Sequence, residues 1–139
     1  MENCVFCRIA QGELPASKVF EDEHTLAIMD IQSVNPGHML VLLKPHRANV
    51  YELDDSLAGA AFRTAARMAR AAKQAFGCEG VTLLQANEKA GAQTVFHFHI
   101  HVLPRWEGDG MELAWPVKNP PREELEAMAE KLRAALALG

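Results

Sequence analysis

Histidine takes every second position of Phe96-His97-Phe98-His99-Ile100-His101-Val102-Leu103-Pro104, with large apolar residues between. Such alternation suits an extended strand and no helix, because only a two-residue period turns successive side chains to opposite faces. Val95 to Leu103 is therefore read as a strand with His97, His99 and His101 on one side and Phe96, Phe98, Ile100 and Val102 on the other. Neighbouring imidazoles on such a row lie roughly 7 Å apart at the backbone, from a rise of about 3.4 Å per residue. One phosphate-sized group can then touch two of them. Solvated strand faces ordinarily carry Lys, Thr, Glu or Ser, whereas this one holds three of the chain's six histidines. Imidazole can act as nucleophile, acid, base or metal ligand near neutral pH, so the row is a candidate reaction centre.

The pattern on either side implies one α+β unit. Lys18 to Glu21 and Thr25 to Met29 read as a hairpin around Asp22-Glu23-His24, and Met39 to Leu43 as a strand buried on both faces after the turn Asn35-Pro36-Gly37. From Asp54 to Phe76 the period becomes helical, with Asp54, Asp55 or Ser56 as N-cap, Leu57, Ala61, Ala65, Met68, Ala72 and Phe76 in one stripe, and Gly77 as the stop. Arg63, Arg67, Arg70 and Lys73 give that helix a basic, solvated face. Val81 to Gln85 is a strand and Asn87 to Gln93 a loop of small residues. After an irregular stretch, Pro120-Pro121 opens a last helix, Glu123 to Leu138, with a seam of Leu125, Met128, Leu132 and Leu136. The expected architecture is an antiparallel sheet with helices packed on it.

A chain of 139 residues, 49% hydrophobic and 23% charged, can build its own core as a single domain. A net charge of −4 argues against nucleic acid as a partner. The N-terminus has no signal-peptide pattern and no apolar run approaches the ~18 residues that span a membrane, so a cytoplasmic protein with no membrane partner is expected. Three cysteines make a poor disulfide framework.

Cys4-Val5-Phe6-Cys7 instead has the spacing with which two thiolates grip one tetrahedral Zn²⁺. A redox pair is the rival reading, weakened because that motif should follow a strand. Half a zinc site needs two further ligands. His46, after Lys44-Pro45, is a credible third and one histidine of the row a fourth, although spacing does not say which, and His24 and His38 are chemically possible.

The pattern Asn87-x5-Gln93-x-Val95-x-His97-x-His99-x-His101-x-x-Pro104 resembles the histidine triad (HIT) hydrolases and nucleotidyl transferases. Cys4-Val5-Phe6-Cys7-Arg8-Ile9, Gly12-Glu13-Leu14-Pro15-Ala16, Val19-Phe20-Glu21-Asp22-Glu23, Asp30-Ile31, Pro36-Gly37-His38 and Lys44-Pro45-His46 follow the same order as its bacterial members, so the resemblance runs from residue 3 to about 110. It implies a HIT-like α+β fold, with one HIT domain over residues 1–139 and a family-variable tail from about 111. It further implies that His99 attacks the α-phosphorus and forms a nucleotidyl-histidine, while His101 contacts phosphoryl oxygens and moves protons at the leaving group. Asn87, Gln93 and Thr94 would hold the phosphate, and Asp30 would accept hydrogen bonds from the ribose hydroxyls. Phe6, Ile9 and Ile31, with Val5 and Ile28, would flank the base. In the zinc-binding branch the ligands correspond to Cys4, Cys7, His46 and His97, which makes the metal structural.

The implied activity is hydrolysis of adenosine phosphoramidates or related AMP conjugates by a homodimer joined through the long helix and the sheet. A diadenosine polyphosphate hydrolase and a nucleotide-binding sensor with residual turnover are the alternatives. The family pattern is broken at two loop positions, where Ala92 stands directly before the glutamine and Glu88 follows the asparagine, each in place of glycine. His38 would orient the site, and Trp106 and Trp115 would meet the leaving group, meet a partner subunit or simply pack.

Overall fold

Five consecutive apolar residues, Met39–Leu43, form β3, and all five are buried. A strand apolar on both faces needs cover on both, and the sheet around it supplies strands as well as two packed layers. The computed structural model describes residues 3–139. Strands β1 (Lys18–Glu21), β2 (Thr25–Met29), β3, β4 (Gly80–Leu84) and β5 (His99–Arg105) form one antiparallel sheet in the order β1-β2-β3-β5-β4. The hairpin between β1 and β2 is locked by Asp22, whose Oδ1 accepts from the backbone N–H groups of His24 and Thr25 and from the Thr25 hydroxyl.

The long helix α2 (Asp55–Phe76) starts at Asp54, whose carboxylate accepts from Leu57 N–H at 2.8 Å, and ends at left-handed Gly77. Its stripe of Leu57, Ala61, Ala65, Met68 and Ala72 packs against Ala27, Val41, Phe98, Ile100 and Val102. Burying each large side chain there contributes about 1.5–3 kcal/mol. The opposite face of the sheet carries a smaller cluster, Leu26, Ile28, Leu40 and Leu42, covered by Phe6 of the short helix α1 (Val5–Ala10). Because Leu42 pairs with His99 and Leu40 with His101, those two histidines project to this second face, away from α2.

The histidine strand is shorter than the alternation predicts. It begins at His99 rather than Val95, because Phe98 N–H bonds the carbonyl of Arg47 at 2.7 Å and residues 95–98 follow a bent path. Phe96 is accordingly exposed and not part of the core. β4 begins at Gly80, one residue early, and α3 (Arg122–Leu138) at Arg122. Among the described residues, no helix is long and apolar enough to cross a membrane.

Gly37 has φ +83°, and a Cβ there would meet the Phe76 ring at 2.7 Å and Pro104 at 3.1 Å. Gly37→Ala is expected to cost about 1–3 kcal/mol through backbone strain and overpacking. An unchanged urea midpoint would show that this approach of turn, helix and strand does not constrain the fold.

Candidate active site and metal cluster

α1 brings its residues to two neighbouring sites at once. Cys4 is its N-cap, with Sγ accepting from Cys7 N–H at 3.3 Å, so both thiols face one point. Converging there are His46, just beyond β3, and His97, on the bent segment before β5. His97 Nδ1 lies 3.2 Å from Cys4 Sγ, 3.5 Å from Cys7 Sγ and 3.3 Å from His46 Nδ1, and His46 Nδ1 lies 3.3 Å from Cys7 Sγ. A Zn²⁺ tetrahedron with bonds of about 2.3 Å to sulfur and 2.0–2.1 Å to nitrogen has edges of roughly 3.3–3.8 Å. The four donors therefore fit a tetrahedral cation in spacing and in kind. Burial and the adjacent Cys4 thiol push the Cys7 thiol up to about 11, so without a cation the two sulfurs resist ionising together.

Hydrogen-bond partners set the tautomers of His97, His99, His38 and His101. His97 is fully buried and donates Nε2–H to the carbonyl of Leu43 at 2.6 Å, which leaves the Nδ1 lone pair for the cluster. His99 Nδ1–H donates to the carbonyl of His97 at 2.8 Å, leaving Nε2 unprotonated. His38 Nδ1 accepts from Val34 N–H, so its proton is on Nε2, 2.9 Å from His101 Nδ1 and 3.2 Å from Asp30 Oδ2. His101 then carries its own proton on Nε2. Phe6 stands edge-on to both His97 and His99, at 5.8 and 5.2 Å between ring centroids.

Burial holds His99 below the usual imidazole range, partly offset by the His97 carbonyl and Asp30. His101 is pushed down to about 4 by burial and then by the neighbouring His99 and His38 rings. Both are neutral at pH 7. They open into a cavity of about 470 Å³ whose other walls include Phe6, Ile9, Asp30 and Thr94. Ile31 stands at its lip, 99% exposed.

The expected site residues therefore sort into three groups. Cys4, Cys7, His46 and His97 meet in one cluster, while His99, His101, Asp30, Thr94, Phe6, Ile9 and Ile31 share one cavity. The side chains of Asn87 and Gln93 line neither. Asn87 Oδ1 accepts from Val50 N–H and from Gln85, and its amide donates back to Gln85. Gln93 Oε1 accepts from Glu88 N–H, while its amide donates to the carbonyls of Ala48 and Val95. These amides brace the loop that carries Thr94. His38, set aside as an orienting residue, is tied directly to Asp30 and His101, and the signal for it was its place beside β3, the strand paired with β5. Leu14 and Pro15 also line the cavity, which their turn sequence did not announce.

The HIT domain model matches residues 11–108. An adenosine 5'-monophosphoramidase of Saccharomyces cerevisiae is 33% identical over 134 residues, covering 96% of this chain and 82% of that one. A crystal structure of a Streptococcus mutans protein, 35% identical, superposes with a TM-score of 0.94 over 98% of this chain and 87% of its own. A zinc-bound histidine triad protein of Mycobacterium smegmatis, also 35% identical, covers 96% of this chain and 98% of its own with a TM-score of 0.76.

In the folded chain His101 binds its proton only near pH 4, whereas an unfolded histidine does so near 6.5. The unfolded state thus binds more protons between those values, and stability falls as pH drops through that window. An NMR titration should find the His101 ring still neutral at pH 5.5, with the proton on Nε2, and His99 protonated on Nδ1. Ordinary titration of His101 near 6.5 would refute the geometry.

Proposed function

Since the chain belongs to the HIT family, we propose that it hydrolyses AMP conjugates at the α-phosphorus, with adenosine phosphoramidates as its substrate class. The observation that carries this reading is the hydrogen bond from His99 Nδ1 to the His97 carbonyl, which leaves the Nε2 lone pair of a neutral imidazole in a nucleotide-sized cavity. The activities for which relatives are named support it, including an adenylylsulfatase of Arabidopsis thaliana at 36% identity.

The lone pair of His99 Nε2 forms a bond to phosphorus while the bond to the leaving group breaks. Phosphoryl charge favours a protonated His101, which burial opposes in the free enzyme, so that histidine takes up a proton with the substrate and passes it to the leaving group. Water then attacks the phosphorus–nitrogen bond of the nucleotidyl-histidine, returns a proton to His101 and releases AMP. Thr94 supplies its hydroxyl and backbone N–H to the equatorial oxygens. Asn87 and Gln93 hold the loop in the shape that aims it. Asp30 Oδ1 accepts from Gln32 N–H and Oδ2 faces His38, and each oxygen keeps a second lone pair for a ribose hydroxyl. Phe6, Ile9 and Ile31 contact the base.

Cys4, Cys7, His46 and His97 are assigned to Zn²⁺. Bound there, the ion supplies a structural cross-link and neutralises the thiolates, with all four positions filled by protein. We further assign the chain as a cytoplasmic homodimer built on one HIT domain with a variable tail. In support, the edge strand β4 has one free side, and beside it Phe62 borders an apolar groove of about 270 Å³ between α2 and the sheet.

Intact-protein mass spectrometry after a rapid quench should detect an adenylyl-sized adduct on the parent and none on His99→Ala, whose turnover falls at least about 10³-fold with the fold retained. Normal turnover in His99→Ala would sink the nucleophile assignment, and faster loading by diadenosine polyphosphates would move the substrate class to those compounds. Cys4→Ala should lose bound zinc by elemental analysis and melt roughly 10 °C lower, about 3 kcal/mol for a chain of this size. Zinc retained at parental stoichiometry and affinity would remove the metal assignment.

A further inference from the structure

Phe98, Ile100 and Val102 enter the core beneath α2, but Phe96, at the head of the same alternation, stays 55% exposed. The bend that bonds Phe98 N–H to the Arg47 carbonyl leaves it outside the sheet. With Val5, Ala48 and Val95 it walls a groove of about 810 Å³, which Cys4 and His46 also border. Cys4 Sγ and His46 Nδ1 are turned to the metal cluster, so what the groove presents is mainly hydrocarbon. Val5 is itself 44% exposed.

The groove adjoins the nucleotide cavity. Val5, Thr94 and Val95 border both spaces, whereas His99, His101 and Asp30 border the cavity alone. A phosphoryl group held at Thr94 therefore stands on the boundary, with the nucleoside on the Asp30 side. In-line displacement puts the leaving atom on the side of phosphorus away from the attacking nitrogen, and the groove is the space that lies past Thr94. Among the described residues, no lysine or arginine lines either space. A leaving group with further phosphates would bring charges that no cation there neutralises, while an apolar substituent would cover Phe96, Val5 and Val95.

We infer that this groove is the leaving-group subsite of the proposed hydrolase and that it selects AMP conjugates of amines with apolar substituents over those with polyphosphate leaving groups. The inference rests on the reading of His99 as nucleophile in the nucleotide cavity. On that reading the phosphorus–nitrogen bond breaks, the amine departs with the proton that His101 delivers, and the groove holds the amine's substituent. Contact made away from the reacting atoms then raises kcat/KM for the substrates that make it.

Release of AMP from a pair of adenosine phosphoramidates tests it, one built on phenylethylamine and the other on aminopropanol, amines of similar basicity. On the parent, kcat/KM should favour the phenyl compound at least about tenfold, and Phe96→Asp should reduce that ratio to about twofold or less. The Phe96 side chain already stands in solvent, so this variant keeps the fold, and an unchanged urea midpoint checks that it does. Ala48→Trp, which fills the groove with a ring of its own, should lower the ratio in the same way. Equal rates for the two amines on the parent, or a preference that Phe96→Asp keeps in full, would overturn the subsite and leave the hydrolase standing. Failure to cleave either phosphoramidate would remove the hydrolase assignment and the subsite with it. Diadenosine polyphosphates cleaved faster than the phenyl compound would overturn the selectivity.

Discussion

The imidazole of His97 and its carbonyl hold two sites together. Nε2–H is anchored on the carbonyl of Leu43 at the end of β3, Nδ1 faces the Cys4, Cys7 and His46 donors, and the carbonyl of the same residue takes the Nδ1 proton of His99. One fully buried residue thus ties α1 to the sheet and fixes which nitrogen of His99 is bare. Local stiffness passes directly into chemistry, because a rotated His97 peptide would free His99 to take the wrong tautomer.

The same face of the sheet explains why its histidines stay neutral. They replace apolar side chains on the second, smaller core, where Phe6, Leu40 and Leu42 exclude water. Desolvation there outweighs the one nearby carboxylate, since burial is the leading cause of the depressed values at His38, His99 and His101 while Asp30 opposes it at each. A neutral imidazole is what the proposed nitrogen nucleophile requires, and on that proposal the uptake of a proton is left to the substrate's own charge.

Most of this was legible in the chain because it rests on periodicity and local chemistry. The β3 run, the α2 stripe with its stop at Gly77, and the hairpin around Asp22 each follow from residues a few positions apart, while the pattern narrows the N-cap only to Asp54, Asp55 or Ser56 and it proves to be Asp54. Alternation also identified the histidine row, but it overstated the strand, since a pattern of period two cannot register that Phe98 would bond Arg47 and that His97 would turn toward the cysteines. Long-range pairings were equally hidden. Nothing local links His38 to His101, 63 residues away, and nothing local says that Gln93 spends its amide on Ala48 and Val95. Those links depend on strand order and loop closure, which sequence spacing alone does not encode.

The loop before the row shows how side-chain hydrogen bonds can hold non-glycine residues in backbone regions that glycine favours. Glu88 sits at φ 64°, ψ 167° and Ala92 at φ 72°, ψ 26°, backbone regions that favour glycine. Strained residues of this kind cost about 1–3 kcal/mol each and persist only where their surroundings hold them. The surroundings here are specific. Glu88 N–H donates to Gln93 Oε1 at 2.7 Å, Glu88 carbonyl accepts from Gly91 and Gln93 N–H, and Asn87 is pinned between Val50 and Gln85. The side-chain amides of Asn87 and Gln93 thus hold non-glycine residues in a turn that glycine would adopt freely. That bracing sets the position of Thr94, the one loop residue of the three whose side chain borders the cavity. Non-glycine residues stand at 88 and 92, and the hydrogen bonds around them hold the backbone angles that those positions take.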